Sequence, residues 1–420
     1  MRRVIIFLTL IICMTFSACA RPDKGPSPFD TLAEPPGEKT ALPAGPVQGP
    51  DFQILPDALL VYGPELMDFS IQDVISQNSR LAAYTEEVDE ISLTGVEIVE
   101  KISREYSVNP QLLVALLEYR SGWIRGLTAE GSSEYPVTSA DPSRAGLFRQ
   151  LSWAANELNR GFYSRRVGGL KEFSLPDGIL VQVSLNANDA SAAIQYVFGK
   201  MMGFQEWQTA VGPLGVYASY LSLFGDPFRN SNVTNIPADL AQPEMQLPFE
   251  TGQSWFFTSG PHSAWSDGAA WAALDFAPDE EKFGCYKSDV WVTAAAGGLV
   301  VRSADGQVIF DLDGDGDEGV GWTILYMHIA GADRVEAGTI LQAGDRIGHP
   351  SCEGGPATGT HLHLARRLNG EWIPADQNIP FVFSGWVSKG DGVEYDGSLV
   401  RGDVEIYASG FPTDENKITP

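Results

Sequence analysis

The apolar pattern of this chain changes period near Met245, and that change decides what it can fold into. Before it, Val96, Ile98, Val99 and Ile102 recur at helical spacing within residues 94–106. Asn109 followed by Pro110 supplies an N-cap and a first-turn proline for a second helix, with Leu113, Leu116 and Leu117 on its buried face. Residues 189–202 and 211–224 read as two further helices. Beyond Met245, short β-rich runs at 290–293, 298–302, 308–312 and 321–327 alternate with Gly and Asp turns, the texture of an antiparallel β domain. The expected fold class is α+β and multidomain: a mostly helical domain over 54–244, an antiparallel all-β domain over 245–410 holding the last strands, and a frayed tail at 411–420.

The beginning of the chain reads as an export signal. Arg2 and Arg3 precede an apolar run at 4–16 that is too short for a stable membrane span. The run closes on Phe16-Ser17-Ala18-Cys19, which resembles a bacterial lipobox. That resemblance implies a signal peptide over 1–18, acyl chains on Cys19, and a protein held to a membrane by its lipid on the extracytoplasmic face. An ordinary signal peptide, or a short membrane anchor, is the alternative. Residues 19–53 are rich in Pro and Gly and read as a tether.

Once Cys13 leaves with the signal and Cys19 takes lipid, Cys285 and Cys352 remain. An even pair in an oxidising compartment suggests a disulfide, worth roughly 4 kcal/mol in the chain-entropy view, against the alternative of two buried thiols. The 28 basic and 54 acidic residues leave a net charge of −26, which excludes a nucleic-acid partner because phosphate binding needs clustered Lys and Arg. With 44% hydrophobic residues the chain is globular rather than disordered.

All five histidines fall between His262 and His363. His262 stands ahead of Asp275; His328 lies in ILYMHIAG; His361 and His363 share GTHLHLARRLNG. A catalytic zinc takes three protein ligands from His, Asp or Glu and keeps a fourth position open. On a strand, positions i and i+2 share a face, so His361 and His363 can both enter one groove, one as ligand and one as acid or base.

The segments GPHSAWSDGAAWAALDFAP, YMHIA and CEGGPATGTHLHLARRLNG together resemble the M23 family of zinc metallopeptidases, in its LasA (staphylolysin) and β-lytic protease branch. In most of that family the first ligand lies four residues ahead of the aspartate, where this chain has Trp271; the Gly260-Pro261-His262 start matches the longer loop of the LasA-like branch. The resemblance implies one zinc per chain on His262, Asp275 and His363, with His328 and His361 as catalytic histidines that do not bind metal. It implies zinc-dependent hydrolysis of peptide bonds in peptidoglycan. His349 matches no functional position and reads as structural. Cys352 matches a disulfide cysteine of the branch, but the family partner sits on the strand leading to the middle histidine, where this chain has no cysteine; Cys285 is left to pair from another loop.

Two further motifs carry other chemistry. Asp311, Asp313, Asp315 and Asp317 resemble the start of a calcium loop, but the twelfth position is Trp322 where a Glu is required, so an Asp/Gly-rich hairpin turn is the competing reading. The stretch SREYSVNPQLLVALLEYRSGW resembles the opening of lysozyme-like lytic transglycosylases, with Arg120 before Ser121 where the catalytic Glu belongs. Glu118 lies about 200° around the helix from that position and cannot replace it. That domain is then degenerate, or an unrelated helical bundle. Three rivals to the hydrolase stay open: a silent wall-binding or hydrolase-activating lipoprotein, a protease acting on Gly-rich extracellular proteins, and a helical domain serving as a removable, propeptide-like inhibitor.

Overall fold

The computed structural model describes residues 42–43, 45–126, 134–138, 141–230 and 234–420. The expected signal sequence, Cys19 and most of the expected tether lie outside the described residues. Residues from Pro43 onward form one compact unit. No helix among the described residues is long and apolar enough to cross a membrane.

Helices occupy the N-terminal half: α1 (Gly95–Tyr106), α2 (Pro110–Ser121), α3 (Leu147–Arg166), α4 (Asp189–Met201), α5 (Phe204–Ala210) and α6 (Val216–Phe224). Helix α1 starts at a capping box, in which Thr94 Oγ1 accepts from the Glu97 N–H and the Glu97 carboxylate accepts from the Thr94 N–H. Helix α2 uses Asn109, whose side chain accepts from the Gln111 N–H at 2.7 Å, and stops at Gly122 in the left-handed region (φ 63°). The twenty-residue α3 is the longest helix among the described residues, and the sequence pattern did not expose it. At its Gly161 a Cβ would stand 2.8 Å from the Ala193 Cα of α4. The glycine lets the two helices touch. The helix expected over 211–224 begins only at Val216, because Gly212-Pro213 interrupts it.

The tether expected to reach residue 53 ends earlier. Val47–Gln48 adds a parallel strand to Leu180–Gln182, and the Gly49 N–H donates to the Gln182 carbonyl at 2.7 Å.

The C-terminal half is built on one nine-stranded sheet. In chain order its main strands are β1 (Trp255–His262), β2 (Ala273–Pro278), β3 (Gly298–Ala304), β4 (Gln307–Asp311), β5 (Trp322–Met327), β6 (Ile340–Leu341), β7 (Leu362–Leu368) and β8 (Lys417–Ile418). They lie in the order β6-β3-β4-β5-β7-β2-β1-β8, every neighbour antiparallel, with Glu371–Trp372 pairing beside β7. The residues expected as a frayed tail include β8, which pairs with Trp255 and Phe256 at the sheet edge. A small four-stranded sheet (Val382–Phe383, Trp386–Lys389, Ser398–Arg401, Val404–Tyr407) precedes it.

The two faces of the large sheet serve different cores. Leu274, Phe276, Ile324, Tyr326, Leu362 and Leu364 pack with residues of the small sheet. Ala273, Ile309, Leu325, Met327 and Ala365 pack instead with residues of α1 to α4. Side chains alternate along a strand, so Asp275 and His363 lie on this second face with Ala273 and Ala365. The helices therefore cover the sheet face that carries those two residues.

Candidate metal centre

The three expected ligands come from three strand positions. Asp275 and His363 are cross-strand partners on β2 and β7, in the middle of the sheet. His262 ends β1, where Ser259 pairs with Asp275 and His262 pairs with Ala273. Three residues on β1 thus span two on β2. This bulge turns His262 onto the face of Asp275, which strict alternation would have denied it.

The ligand atoms converge tightly. His262 Nε2 lies 3.0 Å from His363 Nδ1 and 3.2 Å from Asp275 Oδ1, while His363 Nδ1 lies 3.1 Å from Asp275 Oδ1. Backbone carbonyls decide where the imidazole protons sit. His262 Nδ1 donates to the Gly260 carbonyl at 2.8 Å, and His363 Nε2 donates to the Ala264 carbonyl at 3.1 Å. A carbonyl only accepts, so the opposite nitrogen of each neutral ring carries a lone pair. Burial works against charge on His262, but Asp275 beside it holds its pKa above the ordinary value. Burial pushes His363 down, outweighing the same carboxylate. For Asp275 burial resists charge as well, yet His262 and His361 hold the carboxyl well below its usual range. A buried carboxylate and two lone pairs facing one point repel unless a cation lies among them. Tetrahedral zinc with bonds of about 2.0–2.1 Å sets its ligands roughly 3.3 Å apart. The residues fit zinc.

His328 and His361 stand beside this triad. His361 precedes β7, shares the face of His363, and places Nε2 3.8 Å from Asp275 Oδ1. His328 follows β5 in the left-handed region (φ 66°), a costly conformation for a side chain with a Cβ. Their ring centroids are 4.4 Å apart, and that of His328 is 6.2 Å from His363. The same device orients both: His328 Nδ1 donates to the Glu353 carbonyl and His361 Nδ1 to the Gly359 carbonyl, each at 2.8 Å. Burial, reinforced by His361 and His363, pushes the His328 pKa down to about 3. It is neutral at physiological pH. His349 stands apart, donating from Nδ1 to the Val290 carbonyl and packing on Trp291.

Residues of the small sheet also shape the centre, outside every motif of the sequence. Tyr395 stacks on His262 with centroids 4.8 Å apart, and Glu394 accepts from the Ser263 N–H and hydroxyl. Nothing near the histidine motifs signals this loop. The orienting carbonyls were equally hidden, because every residue type has one.

The other expected sites are placed as follows. Cys285 and Cys352 are joined in a disulfide. Asp311, Asp313 and Asp315 come together in the hairpin between β4 and β5, where Asp311 is buried and the other two are exposed. Asp317 lies in the same hairpin and accepts from the Gly319 N–H. In the helical half, Glu118 accepts from the Ile124 N–H, and Arg120 donates to the Val137 carbonyl.

Residues 53–237 match the family model described as LasA, N-terminal domain. Two curated relatives are both protease LasA of Pseudomonas aeruginosa, from strains UCBPP-PA14 and PAO1. They are 26% and 27% identical over 338 and 339 residues, covering 76% of this chain and 74% of each relative. Among solved structures, the M23 metalloprotease pseudoalterin, from the deep sea, is 23% identical with a TM-score of 0.34, covering 40% of this chain and 96% of its own. A zinc-containing peptidase from Vibrio cholerae is 17% identical with a TM-score of 0.24, covering 33% of this chain and 41% of its own.

Proposed function

We propose that the chain is a LasA-like metallopeptidase of the M23 type and that it hydrolyses peptide bonds in the cross-links or stems of peptidoglycan. His262, Asp275 and His363 would hold one zinc ion. The acyl chains on Cys19 tether the enzyme to the extracytoplasmic face of a membrane. The observation that carries the chemistry is that a backbone carbonyl accepts from one nitrogen of each of the four imidazoles, while the other nitrogen of His262, His363 and His361 lies within 3.8 Å of Asp275 Oδ1.

A zinc ion held there would supply Lewis-acid chemistry, making water nucleophilic near neutral pH and polarising a peptide carbonyl. His328 and His361 supply the proton traffic. With Nδ1 donating to a carbonyl, the lone pair of each neutral ring sits on Nε2; His361 Nε2 lies 3.8 Å from Asp275 Oδ1, and the His328 and His361 ring centroids are 4.4 Å apart. One accepts the proton of the attacking water; as an imidazolium it then donates to the departing amine. Gly359 and Glu353 keep each ring in the tautomer that can do this.

Metal analysis combined with product analysis on defined muropeptides tests the reading. His361→Ala should keep zinc and lose about 10²- to 10⁴-fold in hydrolysis. Unchanged cell-wall hydrolysis by that variant would exclude the catalytic role and favour the silent wall-binding rival. Cleavage of Gly-rich peptides with purified murein left intact would favour the extracellular protease.

One observation favours a second reading for the helical half. The helices pack on the sheet face that bears Asp275 and His363, and Trp265, just past His262, sits against Tyr106 of α1. His262, Asp275, His328 and His363 are all under 9% exposed. The helical half then acts as a cover removed on activation. Mass spectrometry of the mature, membrane-extracted protein checks this: persistence of residues before Met245 in the active form would exclude it.

A further inference from the structure

The disulfide between Cys285 and Cys352 closes a loop with a sequence separation of 67, and it joins two straps that each hold one of the histidines outside the metal triad. The first strap is Ser351-Cys352-Glu353. The Ser351 N–H and hydroxyl both donate to the His328 carbonyl, at 2.6 and 3.0 Å, and the Glu353 carbonyl accepts from His328 Nδ1. Ser351 also accepts the His361 N–H through its carbonyl at 3.3 Å. The second strap surrounds Cys285. The Gly284 carbonyl accepts from the Thr360 N–H at 2.9 Å; Tyr286 donates its N–H to Thr360 Oγ1, and that hydroxyl donates to the Tyr286 carbonyl. Thr360 stands next to His361, and Gly359 beside it orients the His361 ring.

The metal ligands depend on neither strap. Asp275 and His363 are fixed by register in the centre of the sheet, and the carbonyls of Gly260 and Ala264 set the two ligand imidazoles. His328, in contrast, sits in a left-handed conformation that persists only where its surroundings over-determine it. The strap through Cys352 grips it at the backbone and at the ring.

We propose that the Cys285–Cys352 disulfide is a positioning element for the His328 and His361 pair, so that turnover depends on the bridge while zinc binding does not. This rests on the hydrolase reading above. The loops it ties have no regular secondary structure between residues 279 and 291 or between 351 and 360 beyond isolated bridges. Without the bridge, hydrogen bonds alone would set both rings, and small displacements of an acid–base group cost turnover steeply.

The test compares the full-length C285S/C352S variant with the wild type, using a quenched Gly-rich peptide and measuring zinc per chain, kcat and KM across pH. The variant should bind zinc one to one, keep KM within about twofold, and lose about ten- to a hundredfold in kcat per zinc-loaded chain. The acid limb of its kcat profile should move, which partial unfolding would not cause. Unchanged kcat per bound zinc, or a loss that tracks zinc with an unaltered pH profile, would overturn the proposal. Should the double variant not fold, Thr360→Val retains the disulfide and removes the hydroxyl link to Tyr286; a severalfold fall in kcat supports the strap, and an unchanged kcat refutes it. A wild type that binds zinc but cleaves neither the peptide nor murein, both as the full chain and after proteolytic removal of the residues before Met245, would overturn the hydrolase reading and this proposal with it.

Discussion

Two clusters in the β half gather metal-type donors, and they are built on opposite principles. His262, Asp275 and His363 are separated by up to 101 residues and meet across three strands with unprotonated atoms facing one point. Asp311, Asp313 and Asp315 are two residues apart on one hairpin, and each carboxylate is already engaged by backbone N–H groups. Asp311 accepts from Asp313 and Gly316, Asp313 from Asp315, and Asp315 from Asp317. The first cluster uses its backbone bonds to remove protons from the centre; the second uses them to close a turn. Donor count therefore distinguishes nothing. What the other face of each donor is bonded to does.

The contrast is broken most directly by His363→Ala. Losing one of three ligands should abolish zinc retention after dialysis and reduce peptide hydrolysis by more than about 10³-fold, read by metal analysis and kinetics. Retained zinc in this variant would mean that the ion sits elsewhere. Zinc and calcium should also differ as stabilisers. Zinc at about a thousandfold above its dissociation constant should raise stability by roughly 4 kcal/mol, and calcium should leave the melting curve of the metal-free protein in place. Thermal melts of chelator-treated protein with each ion decide this.

Much of this contrast was legible in the sequence, for a physical reason. Capping pairs such as Asn109-Pro110, i, i+2 neighbours such as His361 and His363, and an acidic run without its last ligand are local patterns. The structure places each where local geometry implies. Helix α3 was not read from the sequence, and the reason for its Gly161, the close approach of Ala193 on α4, appears only once the two helices are packed. The bulge that turns His262 inward was hidden too, since only pairing with β2 reveals the extra residue. Nor could spacing show that residues 47–48 and 417–418 are strands, because each is a two-residue edge that exists by virtue of its partner.

The hairpin does have a structural role, carried by Glu318 at its end. Its carboxylate bonds Arg302 at 3.0 Å and Arg367 at 2.7 Å, and Arg367 also donates to the Arg104 carbonyl of α1. Burial resists charge on Glu318, but the two guanidinium groups hold its pKa down at about 2, below its ordinary 4.5. A depressed carboxylate contributes stability above its unfolded pKa and loses it as pH falls through the folded one. Wild-type stability from this group should thus decline between 4.5 and about 2. Glu318→Gln leaves buried guanidinium charge uncompensated and should cost roughly 3 kcal/mol at neutral pH in denaturant unfolding. Equal stability of the two proteins at neutral pH would show that the carboxylate contributes nothing.

The smallest effect is the sharpest probe of the hairpin. The Asp313 carboxyl is partly desolvated and lies beside Asp311 and Asp315, which together push its pKa from 3.8 up to about 6. A raised pKa means the protonated form is the one the fold prefers, so its stabilising contribution is complete below 3.8 and is lost as pH rises through about 6. Above that pH an ionised Asp313 repels its neighbours in the turn. Asp313→Asn keeps the acceptor oxygen that the Asp315 N–H uses and removes the charge. It should raise the melting temperature by less than about 2 °C at pH near 8 and leave it unchanged at pH near 4. A cation seated among these carboxylates would reverse the sign, because neutralising Asp313 would then weaken its binding. If millimolar calcium stabilised the wild type at pH near 8 and failed to stabilise Asp313→Asn, the hairpin would be a second metal centre and the contrast between the two clusters would collapse.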